Sequence, residues 1–149
     1  MTEVVIAGIG MIPVGEHWDL SLRTLAARAI LAAQKDAGGL KPQALYIGNF
    51  LGSMVSHQAN LGALITDNTG LSGIESFTIE AAEASGAAAL HMAYLAVTSG
   101  FVDTAIALGV EKVTDMTDGV EKILATGLDY DYEGFEGVTP AAQDRKSVV

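Results

Sequence analysis

The chain has 149 residues, of which 50% are hydrophobic and 17% charged, so it can form one domain with a buried core and is too apolar for general disorder. It contains no cysteine, which excludes disulfides, zinc–thiolate sites, iron–sulfur clusters and a cysteine nucleophile, and no apolar run long enough for a membrane-spanning helix. The net charge of −10 and the lack of Lys and Arg between Pro42 and Glu111 argue against nucleic-acid binding. The amino terminus lacks the basic residues of a secretory signal, which predicts a cytoplasmic protein.

The first predicted element is a strand at residues 4–9. This short apolar, β-branched run is typical of strands that are buried on both faces of a parallel sheet. Gly8 and Gly10 favour a tight turn over a dinucleotide site, because the third glycine of that fingerprint would fall at Pro13.

A helix and a second strand follow. Apolar residues recur at helical spacing over residues 22–33, which predicts a helix with one buried side. Asp19 or Ser21 can cap its start, and the pair Gly38-Gly39 can end it. Residues 44–48 then predict the second strand.

The middle of the chain continues the alternation of helices and strands. Residues 60–66 predict a helix, and residues 77–81 predict a third strand. Residues 85–99 are apolar nearly all round and rich in alanine, so we expect a buried helix. Residues 104–110 predict a fourth strand. This order of elements predicts an α/β protein with a mainly parallel sheet.

After residue 110 the pattern weakens, and only residues 119–126 predict a short helix. The last eleven residues, 139–149, carry no helix or strand signal. We therefore divide the chain into an α/β half-domain at residues 1–114 and an acidic loop region with a tail at residues 115–149.

Metal ligation is not favoured anywhere in the sequence. Eight of the 18 acidic residues lie between Glu111 and Glu136, and we interpret that segment as a solvated polar excursion. Its alternating acids are Asp129, Asp131 and Glu133. Alternating acids can bind calcium, but this run lacks the glycine and the glutamate that complete the pattern of a calcium-binding loop. The histidines have no metal spacing and comprise His17, His57 and His91, of which the last is predicted to be a core residue of the buried helix.

The junction at residues 80–86 is the strongest candidate site. In open α/β sheets, ligands bind beyond the carboxyl ends of the strands, and a helix start favours negative charge. Glu83 is therefore the candidate catalytic residue, and we expect its carboxylate to accept hydrogen bonds from backbone N–H groups there. The alternative is that Glu83 is an ordinary acidic residue at a helix amino terminus.

Four segments of the sequence resemble the amino-terminal half of thiolases. Residues 79–90, Ile-Glu-Ala-Ala-Glu-Ala-Ser-Gly-Ala-Ala-Ala-Leu, resemble the active-site segment, in which a nucleophilic cysteine is followed by Ala-Ser-Gly and an alanine-rich helix. Residues 5–15, 45–49 and 107–115 resemble the first strand and turn, the second strand and the glycine–acid segment after the fourth strand. The resemblance covers about residues 3–140 and points to the sterol-carrier-type and archaeal acetyl-CoA acetyltransferase branch. It implies a thiolase-like three-layer half-domain with a mainly parallel sheet and a buried central helix.

Two departures from the family pattern bear on activity. The nucleophilic cysteine of the family falls on Glu83, and a carboxylate cannot form the thioester through which thiolases act. The family's second half supplies a histidine that activates the nucleophile, an asparagine of the oxyanion site and an acid–base cysteine, and the resemblance here ends where the loop domain begins. We therefore expect no ordinary thiolase turnover from this chain alone.

The resemblance leaves three functions open. The first is a thiolase-like acyl-CoA acyltransferase fragment or homologue in lipid metabolism, with a coenzyme A thioester as substrate and no other cofactor. The second is a cysteine-less lyase, a decarboxylase or retro-aldolase, that uses Glu83. The third is a non-catalytic scaffold or subunit that pairs with another thiolase-fold chain. In each case we expect a homo-oligomer, such as a dimer, or a pair with another thiolase-fold chain, and neither nucleic acid nor a membrane as partner.

Overall fold

The computed structural model of the chain describes residues 3–134, which are built around a three-stranded parallel sheet. Strand β1 is Ala44–Gly48, β2 is Glu75–Ile79 and β3 is Ala105–Gly109, in the order β2-β1-β3. Gly48 pairs with Ile79 on one side and with Gly109 on the other. The three strands therefore end at the same edge of the sheet, and β1 is its central, buried strand.

Helices lie on both faces of the sheet. They are α1 (Leu22–Asp36), α2 (Gly52–Val55), α3 (Leu61–Thr69), α4 (Ser85–Thr98) and α5 (Val120–Leu124). Leu45 and Ile47 of β1 pack against α1 and α3, whereas Ala44 and Tyr46 pack against α4. Alternate residues of one strand thus contact opposite layers. This arrangement confirms the three-layer α/β fold with a mainly parallel sheet.

Local signals set the ends of α1 as the sequence predicted. The hydroxyl of Ser21 accepts a hydrogen bond from the backbone N–H of Thr24 at 3.3 Å, which satisfies one of the free N–H groups of the first turn. After the helix, Gly38 and Gly39 have φ values of 68° and 82°, a conformation that glycine adopts without steric cost.

Most other predicted elements are confirmed with small changes in their bounds. The second strand has the bounds predicted, and the fourth is one residue shorter at each end. The helix predicted for residues 60–66 extends to Thr69 as α3. The strand predicted for residues 77–81 is displaced, because β2 ends at Ile79 and the chain turns at Ala82, where φ is 47°.

The strand predicted for residues 4–9 is not formed. Its backbone lies against α1 instead, and a Cβ atom at Gly8 or Gly10 would collide with the backbone of that helix. The two glycines thus serve a close contact between segments and not the predicted tight turn. Val5 and Ile6 remain 72% and 77% exposed, so the burial on both faces that the prediction required is missing.

Within residues 3–134, α4 is buried along one side only. Its buried residues lie on one side and are Ser85, Ala89, Ala93 and Ala96. On the outer side, Leu90 and Tyr94 are 56% and 50% exposed, and His91, predicted as a core residue, is exposed as well. The sheet covers one side of α4, and nothing else in residues 3–134 covers the other.

Short helices follow β3. Turns of 3₁₀-helix lie at Val113–Asp115 and Ala125–Gly127 on either side of α5, and a π-helical turn lies at Tyr130–Gly134. The predicted structureless tail at residues 139–149 lies outside the described residues, and the division of the chain at residue 114 stays a prediction. In the described range, no helix is both long enough and apolar enough to cross a membrane.

Candidate functional site

The loops that leave the carboxyl ends of the three strands form one continuous edge. The backbone N–H of Asn49, just after β1, donates to the carbonyl of Ile79 at 3.1 Å. The backbone N–H of Val110, just after β3, donates to the carbonyl of Gly48 at 3.1 Å. The sequence-predicted site at residues 80–86 thus lies beside two other loops, as expected for a parallel sheet.

The start of α4 is held by a hydrogen-bonded turn. The buried hydroxyl of Ser85 donates to the carbonyl of Ala82 at 2.6 Å and accepts from the N–H of Ala81 at 2.9 Å. The carboxylate of Glu80 accepts from the N–H of Ala82 at 2.5 Å. These bonds support the left-handed backbone of Ala82, which is unfavourable for a residue with a Cβ atom.

This turn packs closely against β1. A Cβ atom at Gly48 would collide with the carbonyl oxygen of Ser85 and would lie 2.7 Å from the Cα atom of Gly86. Glycine at the last position of β1 therefore allows the first turn of α4 to approach the sheet.

Glu83 lies on this turn, two residues before Ser85, the first residue of α4, and its side chain is exposed. Among the described residues its carboxylate makes no hydrogen bond, and the start of α4 has no side-chain cap. The predicted hydrogen bonds from the helix N–H groups to the Glu83 carboxylate are therefore wrong. Ser85 and Glu80 instead accept hydrogen bonds from the N–H groups of Ala81 and Ala82 in the turn.

A network around Asn49 joins the three loops. This buried side chain donates through Nδ2 to the carbonyl of Val110 at 2.8 Å and to Glu111 Oε1 at 3.1 Å. Its Oδ1 accepts from the N–H of Gly52 at 3.0 Å. The donors and the acceptor of the amide are all satisfied, as a buried polar group requires.

The carboxylate of Glu111 completes the network. Its Oε2 accepts from the backbone N–H groups of Phe50 and Leu51 at 3.0 and 2.9 Å. Sequence reasoning placed Glu111 in a solvated acidic segment and missed this role. The next residue, Lys112, is buried and pairs with Asp115.

A signal for this network was present in the sequence, but it needed the register of the strands. Gly48 pairs with Gly109, so residues one and two positions later, Asn49 and Glu111, leave neighbouring strands at the same edge. They are 62 positions apart in sequence, and local periodicity does not relate them.

The ring of Phe50 lies near the turn that carries Glu83. A Cβ atom at Gly127 would lie 3.2 Å from Phe50 Cζ and 3.4 Å from the Cβ atom of Ala82. The 3₁₀ turn at Ala125–Gly127 therefore packs against both the loop after β1 and the loop after β2.

The remaining candidates take no part in this edge. His17 Nε2 lies 2.8 Å from the carbonyl oxygen of Pro13, and His57 is exposed with a φ of 51°. Among the acids considered for a metal, Asp129 and Glu133 accept hydrogen bonds from nearby backbone N–H groups. Within residues 3–134, no group of three or more histidine, aspartate or glutamate side chains is placed to hold a metal ion.

A solved structure shares the fold. The crystal structure of 3-oxoacyl-[acyl-carrier-protein] synthase III from Aquifex aeolicus VF5 matches with a TM-score of 0.53 at 20% sequence identity, over 65% of this chain and 32% of that chain. At this identity the match supports the thiolase-like α/β fold and nothing finer.

Sequence relatives are more similar. The acetyl-CoA acetyltransferase of Methanothermobacter thermautotrophicus is 41% identical over 93% of this chain and 37% of that protein. The acetyl-CoA acetyltransferase of Methanocaldococcus jannaschii is 37% identical over 93% of this chain and 36% of that protein. The benzoylsuccinyl-CoA thiolase subunit BbsB of Thauera aromatica is 31% identical over 75% of this chain, or 29% of that protein. The chain thus spans about a third of the length of these relatives. The family model of the thiolase amino-terminal domain matches residues 4–144, and the chain therefore belongs to the thiolase family, as an amino-terminal domain.

Proposed function

We propose that this domain forms one half of a thiolase-like acyl-CoA acyltransferase and that it does not carry out ordinary thiolase turnover alone. The observation that carries this proposal is Glu83, which occupies the position of the family's nucleophile by the resemblance set out above. Acyl transfer in thiolases needs a thiolate that forms a thioester, and a carboxylate is a poor acyl acceptor. The names of the two archaeal relatives support an acyl-CoA substrate.

A thiolysis assay tests the absence of turnover. The purified chain is incubated with acetoacetyl-CoA and coenzyme A, and cleavage is followed by the loss of the enolate absorbance. We expect the background rate, with no difference between the natural chain and Glu83→Ala. Cleavage above background that Glu83→Ala abolishes would overturn the proposal.

We also propose that α4 binds a second thiolase-fold chain, either another copy or a different subunit. Large apolar patches on a protein surface usually mark interfaces. The outer side of α4 and the loop after it carry such a patch; its residues are Leu90, Met92, Tyr94, Leu95 and Phe101, which are 40–67% exposed. One relative, BbsB, is itself named as a subunit, which supports a partner chain.

Sedimentation velocity tests the form of this pairing in which the second chain is another copy. We expect the chain of 15.4 kDa to sediment as a dimer at micromolar concentration. Leu90→Asp on the outer side of α4 should give monomers, whereas Val14→Asp, at a fully exposed apolar residue away from this helix, should not. A monomer at all concentrations, or an equal effect of both variants, would refute self-pairing through α4.

A cysteine-less lyase is the second candidate. The exposed carboxylate of Glu83 has no hydrogen-bond partner among the described residues, so it is free to accept a proton from a ligand. In a retro-aldol reaction, Glu83 would accept the hydroxyl proton of a 3-hydroxyacyl thioester while the bond between its second and third carbons breaks; a carbonyl product leaves and the resulting enolate takes a proton from water. Such cleavage, lost in Glu83→Gln, would favour this candidate over the first.

A further inference from the structure

We propose that Asn49 and Glu111 form a clasp that positions the turn carrying Glu83. The clasp acts through Phe50, whose backbone it fixes and whose ring borders Gly127, as the turn does. The importance of Glu83 itself rests on the proposed function, but the clasp is a property of the described structure and is tested separately.

The first step is the rigidity of the loop after β1. Five hydrogen bonds of 2.8–3.1 Å hold this loop, and all of them involve the side chain of Asn49 or Glu111. Glu111 binds two consecutive N–H groups, of Phe50 and Leu51, through one oxygen atom. Bonds to an ionised carboxylate are stronger than those between neutral groups. The direction of the backbone at Phe50 is therefore set by a residue 61 positions away.

The second step is the packing of Phe50 and of the turn against Gly127. A Cβ atom added at Gly127 would lie 3.2 Å from the ring of Phe50 and 3.4 Å from the methyl group of Ala82, so both groups border the same residue. Ala82 is the residue with the left-handed backbone, and it directly precedes Glu83. A displacement of Phe50 would thus loosen the packing around Gly127, which borders a strained position next to Glu83.

The chain offers a direct reporter for this effect. Because it contains no cysteine, Glu83→Cys introduces a single thiol at the position in question. The rate at which iodoacetamide alkylates this thiol, measured under native conditions from pH 6 to 9, depends on the exposure and surroundings of residue 83. No coenzyme A thioester is involved, so the result does not depend on the outcome of the thiolysis assay.

Four variants in the Glu83→Cys background separate the clasp from charge and from stability. Glu111→Ala removes both the acceptors and the charge, Glu111→Asp keeps the charge but shortens the reach, and Glu111→Gln removes the charge and keeps one acceptor oxygen. Glu121→Ala, an exposed acid in α5, is the matched control.

We expect Glu111→Ala and Glu111→Asp to raise the alkylation rate at least threefold. The rate of Glu111→Gln should lie between the rates of these variants and that of the parent. The rate of Glu121→Ala should stay within 1.5-fold of the parent. If Glu111→Ala does not fold, Glu111→Asp carries the comparison. A lower urea midpoint with an unchanged alkylation rate would show that Glu111 acts on stability alone and would overturn the proposal. Equal effects of Glu111→Gln and Glu111→Ala would assign the change to charge and would overturn it as well.

Discussion

Asn49 should be the most sensitive polar residue of the sheet edge, and two substitutions distinguish its roles. Asn49→Ala removes three side-chain hydrogen bonds, to Val110, Glu111 and Gly52. Each such bond contributes about 1 kcal/mol net, and a buried donor or acceptor left without a partner costs more. We expect the free energy of unfolding to fall by about 2–4 kcal/mol.

Asn49→Asp keeps the acceptor for the N–H of Gly52 but loses both donors. It also places a second carboxylate where Nδ2 now lies, 2.8 Å from the carbonyl oxygen of Val110 and 3.1 Å from Glu111 Oε1. Two like charges about 4 Å apart repel by as much as about 4 kcal/mol near a protein surface. We therefore expect Asn49→Asp to be at least as destabilising as Asn49→Ala, although it is the more conservative change in shape.

Urea unfolding followed by circular dichroism measures both effects. With a slope of about 1.5–2 kcal/mol per molar urea, a loss of about 3 kcal/mol moves the midpoint down by about 1.5–2 M. Asn68→Asp is the matched control, because Asn68 is exposed on α3 and the change adds the same charge to the chain. A shift below about 0.5 M for Asn49→Asp, or a shift equal to that of Asn68→Asp, would refute the role assigned to this network.

Three further predictions, which use four substitutions, test other parts of the fold. Gly48→Ala should destabilise the chain by more than about 2 kcal/mol, because the added Cβ atom would overlap the start of α4. Gly86→Ala places its Cβ atom in open space and should be neutral or slightly stabilising. Urea titrations measure both effects. Ser21→Ala should cost about 0.5–2 kcal/mol of stability through the lost cap of α1, measured in the same way. Burial and the hydrogen bond to Glu75 raise the pKa of Tyr46 from 10.0 to about 12. The stability that the neutral Tyr46 hydroxyl contributes is therefore complete below pH 10 and is lost as the pH rises towards 12. Tyr46→Phe should remove this alkaline dependence, which thermal unfolding curves at several pH values measure.

Elements with local signals could be predicted from the sequence. The helix α1 has an apolar side at helical spacing, a capping Ser21 and a glycine pair after its end, and each of these acts within a few residues. The central strand β1 could be predicted for the same reason, since its five residues form a continuous apolar run between turn residues. The alternation of helices and strands then determined a parallel sheet.

Features that depend on distant contacts could not be predicted in this way. The apolar character of α4 showed that both of its sides favour burial, but composition does not show whether the same chain supplies both layers. The strand expected at residues 4–9 failed for the same reason, because its outer side has no covering layer in the described structure. At the site, the position of Glu83 on the loop after β2 was predicted. The hydrogen bonds expected for its carboxylate are not formed: no side chain caps the start of α4, and Ser85 and Glu80 accept from the turn N–H groups of Ala81 and Ala82.

The position of Glu83 relative to α4 connects the proposed partner with the proposed site. Leu90 lies five residues after Ser85, the first residue of α4, which is about 7.5 Å along the helix axis. A partner chain of the kind proposed, covering Leu90 and Tyr94, would therefore lie near the turn that carries Glu83. The groups that the family places around its nucleophile would then come from that partner, so binding along α4 and completion of the site would be the same event. On this reasoning, a substitution on the outer side of α4 such as Leu90→Asp should impair any function of Glu83 without touching the residues of the site itself.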